Sequence, residues 1–161
     1  LSELARELGS DGPDHHLVLV GGALLALHSL RESTLDVDTI SRLDRELVDA
    51  VARVGRRRGL NEDWLNNRAQ GFAPSTLRST DCTRLFSAGR LSIWSPPLSQ
   101  IFLMKLYRSD AQDLEDMINL WPQCNFASAD AVVDMFYEAY PHALPDEFLI
   151  EHVRRIRDAS R

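Results

Sequence analysis

The stretch HLVLVGGALLALHSLRESTLDVDTI, residues 16–40, decides how the rest of the chain is read. Its first five residues are a compact apolar run of the kind that forms a buried strand. Gly21 and Gly22 follow at once, and apolar residues at 24, 27 and 30 then recur at helical spacing. Residues 35–40 alternate with period two, as a half-buried strand does. The expected order is strand, tight glycine turn, short helix, second strand.

Two features of this unit have a chemical use. On a strand, Asp36 and Asp38 leave the same face, and two carboxylates there repel unless a cation or partner compensates them. Oxygen-only, partly open sites of this kind suit Mg2+, which keeps waters and takes phosphate oxygens as remaining ligands. Gly21 and Gly22, where a strand turns into a helix, present amides that a phosphate can approach closely. Each feature has a plain reading when taken alone: two solvated acids at a strand end, and a tight turn without a ligand. Taken jointly, they bring phosphate-binding amides near metal-binding carboxylates. Those parts suffice to hold a nucleoside triphosphate while Mg2+ stabilises phosphoryl transfer.

Outward from this unit, residues 2–9 read as a short helix and GSDGPD as a turn-rich break. His15 and His16 fall in that loop, and His28 in the helix after the glycines. Leu43, Leu47, Val51 and Val54 mark one face of a helix, with Ser41 placed to cap its start and Gly59 its end. Residues 61–75 lack any period and read as an ordered loop anchored by Trp64 and Phe72. TRLFSAGRLSIW, residues 83–94, reads as a hairpin turning at Ala88 and Gly89. Ser95 and Pro96 then stand in N-cap and N1 positions of a largely buried helix. In DAQDLEDMINLW the apolar residues 114, 117, 118 and 121 form the expected buried stripe, with Asp113 and Asp116 opposite. Two more helices, near 128–140 and 146–159, complete one domain over 1–161, sheet-containing in 1–94 and helical in 95–161.

The chain has 161 residues and a net charge of −6, which argues against a protein that coats nucleic acid non-specifically. Arginines nevertheless cluster at 53, 56, 57 and 58 and again at 154, 155, 157 and 161. Both clusters also suit a solvated helix C-terminus, where the macrodipole favours cations. Cys82 and Cys124 have no ligand partner at metal spacing and read as free thiols of a reducing cytosol. No apolar run reaches the roughly 20 residues that span a bilayer. Lys105 is the only lysine in the chain. It lies in an apolar helix with Arg108 on the same face, and a buried ammonium needs a counter-charge. Nucleotide phosphates or the Asp36/Asp38 pair are candidates, as is a lysine that snorkels to the surface.

GG at 21–22 and TLDVD at 34–38 resemble the nucleotidyltransferase superfamily in its minimal form. SPPLSQIFLMKLYRSDAQDLEDMINL, residues 95–120, is similar to the helix pair of toxin-type nucleotidyltransferases of the AbiEii and MenT groups. The resemblance covers roughly 16–121. It implies an α/β (α+β) fold, a small mixed sheet with flanking helices and a helical C-terminal half. It implies an Mg2+-dependent enzyme that transfers NMP from an NTP, releasing pyrophosphate, with the 3′ end of a tRNA as acceptor. Gly21, Gly22, Thr34, Lys105 and Arg108 then hold the nucleotide, and Asp36 and Asp38 hold the metal. One of Asp113 and Asp116 stands in for a third acid, because the strand RLSIW offers Arg90 and Ser92 where many relatives carry a carboxylate. The resemblance further implies a cytoplasmic toxin with a cognate antitoxin, in some systems a kinase acting on a hydroxyl at the position of Thr34. Transfer onto a protein side chain is the second reading, and a degenerate domain that binds nucleotide or partner without turnover the third.

Overall fold

A computed structural model describes every residue of the chain except Arg31, Ser33 and Leu35. The described residues form seven α-helices and five strands, in the order α1 Ser2–Leu8, β1 His15–Val20, α2 Gly21–Leu27, β2 Val37–Thr39, α3 Arg45–Arg58, β3 Leu65–Asn66, β4 Thr83–Ala88, β5 Leu91–Ser95, α4 Leu98–Arg108, α5 Asp113–Leu120, α6 Ala129–Ala139 and α7 Leu149–Ala159. The protein is α+β, with one mixed sheet of order β3-β2-β1-β5-β4. β1 runs antiparallel to β2 and parallel to β5, β2 is parallel to β3, and β4 is antiparallel to β5.

The chain divides into two compact units. The sheet unit holds residues 1–71 and 82–96, and the helical unit holds 72–81 and 97–161. In the sheet unit, alternation sorts each strand. Leu17, Leu19, Leu65, Leu91 and Ile93 pack with Leu4 and Leu8 of α1 and Leu47, Val51 and Val54 of α3. Side chains of this kind contribute about 1.5–3 kcal/mol each when fully buried. Val20 and Asp38 belong to the alternate positions and leave the other face.

Several local expectations shift. The helix after β1 begins at the glycines themselves and stops at Leu27, with Ser29 in the left-handed region at φ 58°. The strand expected over 35–40 spans 37–39; Leu35 lies outside the described residues, and Asp36 stands just ahead of β2. Asp44, not Ser41, caps α3, its carboxylate accepting the Leu47 N–H at 2.9 Å, while Gly59 closes the helix at φ 66° as expected. The hairpin turns at Gly89 and Arg90, one residue later than read, because Ala88 pairs with Leu91. Ser95 remains in β5, and Pro97 takes the N-cap of α4. Residues 61–75 contain the short strand β3 and a 3-10 turn at Arg68–Phe72.

His15 and His16 are strand residues rather than loop. His15 is buried between Asp44 at 3.4 Å and Glu46 at 3.2 Å. Arg90, also buried, donates to the carbonyls of Leu8 and Pro13 and pairs with Glu46. That hydrogen bond, chief among the causes, holds the Glu46 carboxyl below its ordinary value.

In the helical unit α4 is buried nearly all round through its middle, with Ile101 to Leu106 all buried. Tyr107 stacks flat on Tyr140, ring centroids 4.1 Å apart. Phe102, Trp121 and Phe126 make a second aromatic cluster of edge and tilted contacts. Burial pushes the Cys124 thiol up to about 12, so it stays protonated at neutral pH.

Candidate functional site

The sequence-predicted residues fall into two clusters, one in each unit. In the sheet unit, the register pairs Val20 with Asp38, so the residue after Val20 meets the Asp38 side chain. That residue is Gly21, at φ +68°, a conformation that L side chains rarely adopt. A Cβ built there would lie 2.7 Å from Asp38 Oδ2. The glycine turn is therefore a cradle for a carboxylate. Gly22 is buried in the first turn of α2.

Hydroxyl groups set the register that creates this approach. Thr39 Oγ1 donates to the Val18 carbonyl at 2.7 Å and accepts the Ser41 N–H at 3.0 Å. Ser41 Oγ accepts the Val18 N–H at 2.9 Å. Thr39 is fully buried, so these bonds form away from competing water. Asp36 and Thr34 are half-buried, and the Thr34 hydroxyl donates to the Asp36 carbonyl at 3.1 Å. On the far side of β2, Asn66 stands directly opposite Asp38.

The donor chemistry here fits Mg2+. Carboxylate oxygens are hard ligands, and the Gly21 cradle leaves room for one beside bare backbone. Among the described residues no group of three or more His, Cys, Asp or Glu could hold a metal. Mg2+ often binds through two carboxylates with substrate phosphates supplying further oxygens, and Asp36 and Asp38 are the residues that would hold it.

The second cluster lies in the helical unit and widens the buried face of α5: Met117 is buried as expected, but Asp113 and Asp116 join it and Leu114 does not. Asp113 and Asp116 are buried, at 0% and 5% exposure, whereas Leu114 is 43% exposed. Lys105 explains why the two aspartates are buried. Lys105 is itself only 5% exposed, and its ammonium donates to Asp113 Oδ1 at 2.9 Å and to Asp116 Oδ2 at 2.7 Å. Arg108 adds a two-pronged contact on Asp113 at 2.8 and 2.7 Å. Burial pushes the Asp113 carboxyl up, but the hydrogen bonds and charges of Arg108 and Lys105 outweigh it and leave it below its ordinary value.

The first arginine cluster is also committed. Arg53 pairs with Glu7 at 2.5 Å, Arg57 with Glu7 at 2.6 Å and Arg58 with Glu3 at 2.5 Å. Arg56 reaches Glu62 at 3.1 Å. In the second cluster, Arg154 pairs with Glu151 at 2.7 Å and Arg157 with Asp158 at 2.9 Å. His28 is exposed at the C-cap of α2.

Sequence reasoning missed Asn66, which it left inside an aperiodic loop. One signal was available: asparagine is depleted in strands, so its presence after Trp64 and Leu65 asks for a reason.

A glycine turn pressed against a strand carboxylate, on a small mixed sheet, is the arrangement that the nucleotidyltransferase resemblance implies. The chain belongs to the family described as "Nucleotidyltransferase of unknown function (DUF6036)", whose model matches residues 1–140. Comparison with curated proteins and with solved structures finds no match. The superfamily resemblance thus holds, and the protein is a nucleotidyltransferase. Among the described residues no helix is long and apolar enough to cross a membrane.

Proposed function

We propose that the protein is an Mg2+-dependent nucleotidyltransferase that moves NMP from an NTP onto the 3′ end of a tRNA, as the toxin of a bacterial toxin–antitoxin pair in the cytoplasm. The observation that carries the nucleotide site is the close approach of Gly21 to Asp38. Asp36 and Asp38 hold Mg2+, which when bound offsets charge on the phosphates. The backbone at Gly21 and Gly22 lies against the phosphates. The acceptor hydroxyl attacks the α-phosphorus, its proton passes to a base or solvent, and the bond to the bridging oxygen breaks to release pyrophosphate. The roles of Lys105 and Arg108 at the triphosphate, and of Asp113 or Asp116 as a third acid, rest on the resemblance alone. Their mutual pairing supports a structural role as the charged centre of the helical unit.

The proposal includes a cognate antitoxin, and a kinase acting on Thr34 would place about two negative charges next to Asp36. Mass spectrometry after co-expression with the neighbouring gene tests it; an unmodified Thr34 removes that form of regulation. The transfer itself is tested by incubating purified protein with labelled NTPs and total tRNA. Label on tRNA that requires Mg2+ and disappears in Asp38→Ala supports the reading, and equal transfer by that variant sinks it.

A second acceptor class has an observation in its favour. The first arginine cluster faces glutamates rather than solvent alone, and the net charge is −6, whereas an RNA-binding surface is usually basic. Transfer onto a protein hydroxyl fits those facts, and label on a protein band instead of RNA decides for it.

A further inference from the structure

Asn66 is the residue beside Asp38 whose chemistry the nucleotide site has not used. It ends β3 in direct register with Asp38, and directly paired residues project from the same face of a sheet. Leu65, its neighbour, packs into the core on the opposite face. Asn66 is only 6% exposed. Its Oδ1 accepts the backbone N–H of Arg68 at 3.0 Å. That bond fixes the amide orientation, because a flipped amide would set two donors against each other. The Nδ2 donor is left buried with no hydrogen-bond partner.

Buried donors are nearly always paired, and an orphan calls for an explanation such as a ligand. Among the described residues, the other orphan is Arg90 Nε, whose guanidinium is otherwise held by Leu8, Pro13 and Glu46. Asn66 has no such set of substitutes. A neutral amide donor also suits its neighbour. Carboxylates accept hydrogen bonds but repel phosphate, and an amide attracts a phosphoryl oxygen without adding charge.

We propose that Asn66 is a substrate-binding residue whose Nδ2 donates a hydrogen bond to a phosphoryl oxygen of the nucleotide held at Asp38. The assignment rests on the reading of Gly21 and Asp38 as the nucleotide site. The geometry makes Asn66 wait for its ligand: the acceptor end is tied to Arg68, and the donor end stays available.

The test follows the side-chain amide itself. Protein labelled with 15N is titrated, in Mg2+, with each of the four ribonucleoside triphosphates carrying a methylene between the α and β phosphorus atoms, and separately with inorganic triphosphate and adenosine. The Asn66 side-chain resonances shift saturably with at least one analogue and with inorganic triphosphate, and stay still with adenosine. Calorimetry then compares the wild type with Asn66→Asp, which keeps the acceptor for Arg68, and Asn66→Ala, which adds no charge. Both weaken binding by roughly tenfold, the size expected for a lost bond to a charged partner. Unmoved resonances and unchanged affinities, in a wild type that does bind an analogue, overturn the role of Asn66 and leave the nucleotide site standing. A shift with adenosine alone overturns the phosphoryl assignment. A wild type that binds no analogue overturns the site and Asn66 together. If a variant fails to fold, the titration of the wild-type amide still decides.

Discussion

The carboxylate of Asp38 occupies the space that a side chain on Gly21 would need, with Oδ2 2.7 Å from the position of a Cβ. Two constraints meet at that glycine, the positive φ of the turn and the closeness of the carboxylate. Gly22, one residue on, is buried in the helix that the turn launches.

Gly21→Ala is therefore expected to harm function more than folding. The left-handed conformation costs about 1–3 kcal/mol for a residue with a Cβ, and the new methyl displaces Asp38. Urea unfolding should register a loss within that range. Nucleotidyl transfer should fall by at least about tenfold, the factor that 1.4 kcal/mol of misplacement produces. Equal activity in a folded variant removes the cradle from the mechanism.

Asp38→Asn separates charge from shape. The amide is close to isosteric, so the thermal midpoint should move little. Label transfer should drop by roughly 100-fold or more, as for other groups that stabilise developing charge. The Mg2+ concentration needed for half-maximal transfer should rise. An unchanged Mg2+ dependence shows that Asp38 is not a ligand.

Lys105 carries a stability prediction. Lys105→Met leaves Asp113 and Asp116 buried with Arg108 as the remaining cation contact on Asp113. Removing one partner of a buried ion pair typically costs about 3–5 kcal/mol. Adding Asp113→Asn and Asp116→Asn to the same chain should recover most of the loss, because the uncompensated charge goes with it. Recovered stability without recovered transfer would locate a catalytic role on top of the structural one.

The same network predicts acid sensitivity. The Asp113 carboxyl lies below its ordinary value in the folded protein. Its contribution is fully present above the unfolded value near about 4 and is lost as pH falls through the folded value. Denaturant midpoints of the wild type should therefore drop on going below about pH 4. Asp113→Asn should start from a lower midpoint and lose less over that interval.

The fold was legible to a large extent because its signals are local. The apolar run before Gly21, the 3.6-residue stripe of α3 and the Gly59 cap depend on a few neighbouring residues each. Boundaries moved where a nearby residue competed. Asp44 and Ser41 both offer an oxygen near α3, and Asp44 wins since Ser41 is engaged with Val18. The face of α5 was misread because periodicity counts Leu114 as core and aspartate as surface. Lys105, eight residues before Asp113, reverses that preference by supplying a buried counter-charge.

The candidate site divides in the same way. Residue type and order marked Gly21, Gly22, Asp36, Asp38 and Lys105, since close backbone approach needs glycine and metal chemistry needs carboxylates, and the family resemblance added Arg108, Asp113 and Asp116. Strand register decided what they touch. It set Asp38 against Gly21 on one side and Asn66 on the other, and a one-residue slip would have turned each of these side chains to the opposite face. The sequence by itself determined most of the elements, though not β3, and the inventory of reactive groups, because both follow from local pattern. Only the tertiary structure decided that the second acidic pair is buried against Lys105 and that Asn66 holds an unpaired donor beside Asp38, because cross-strand pairing and charge burial join residues that sequence distance keeps apart.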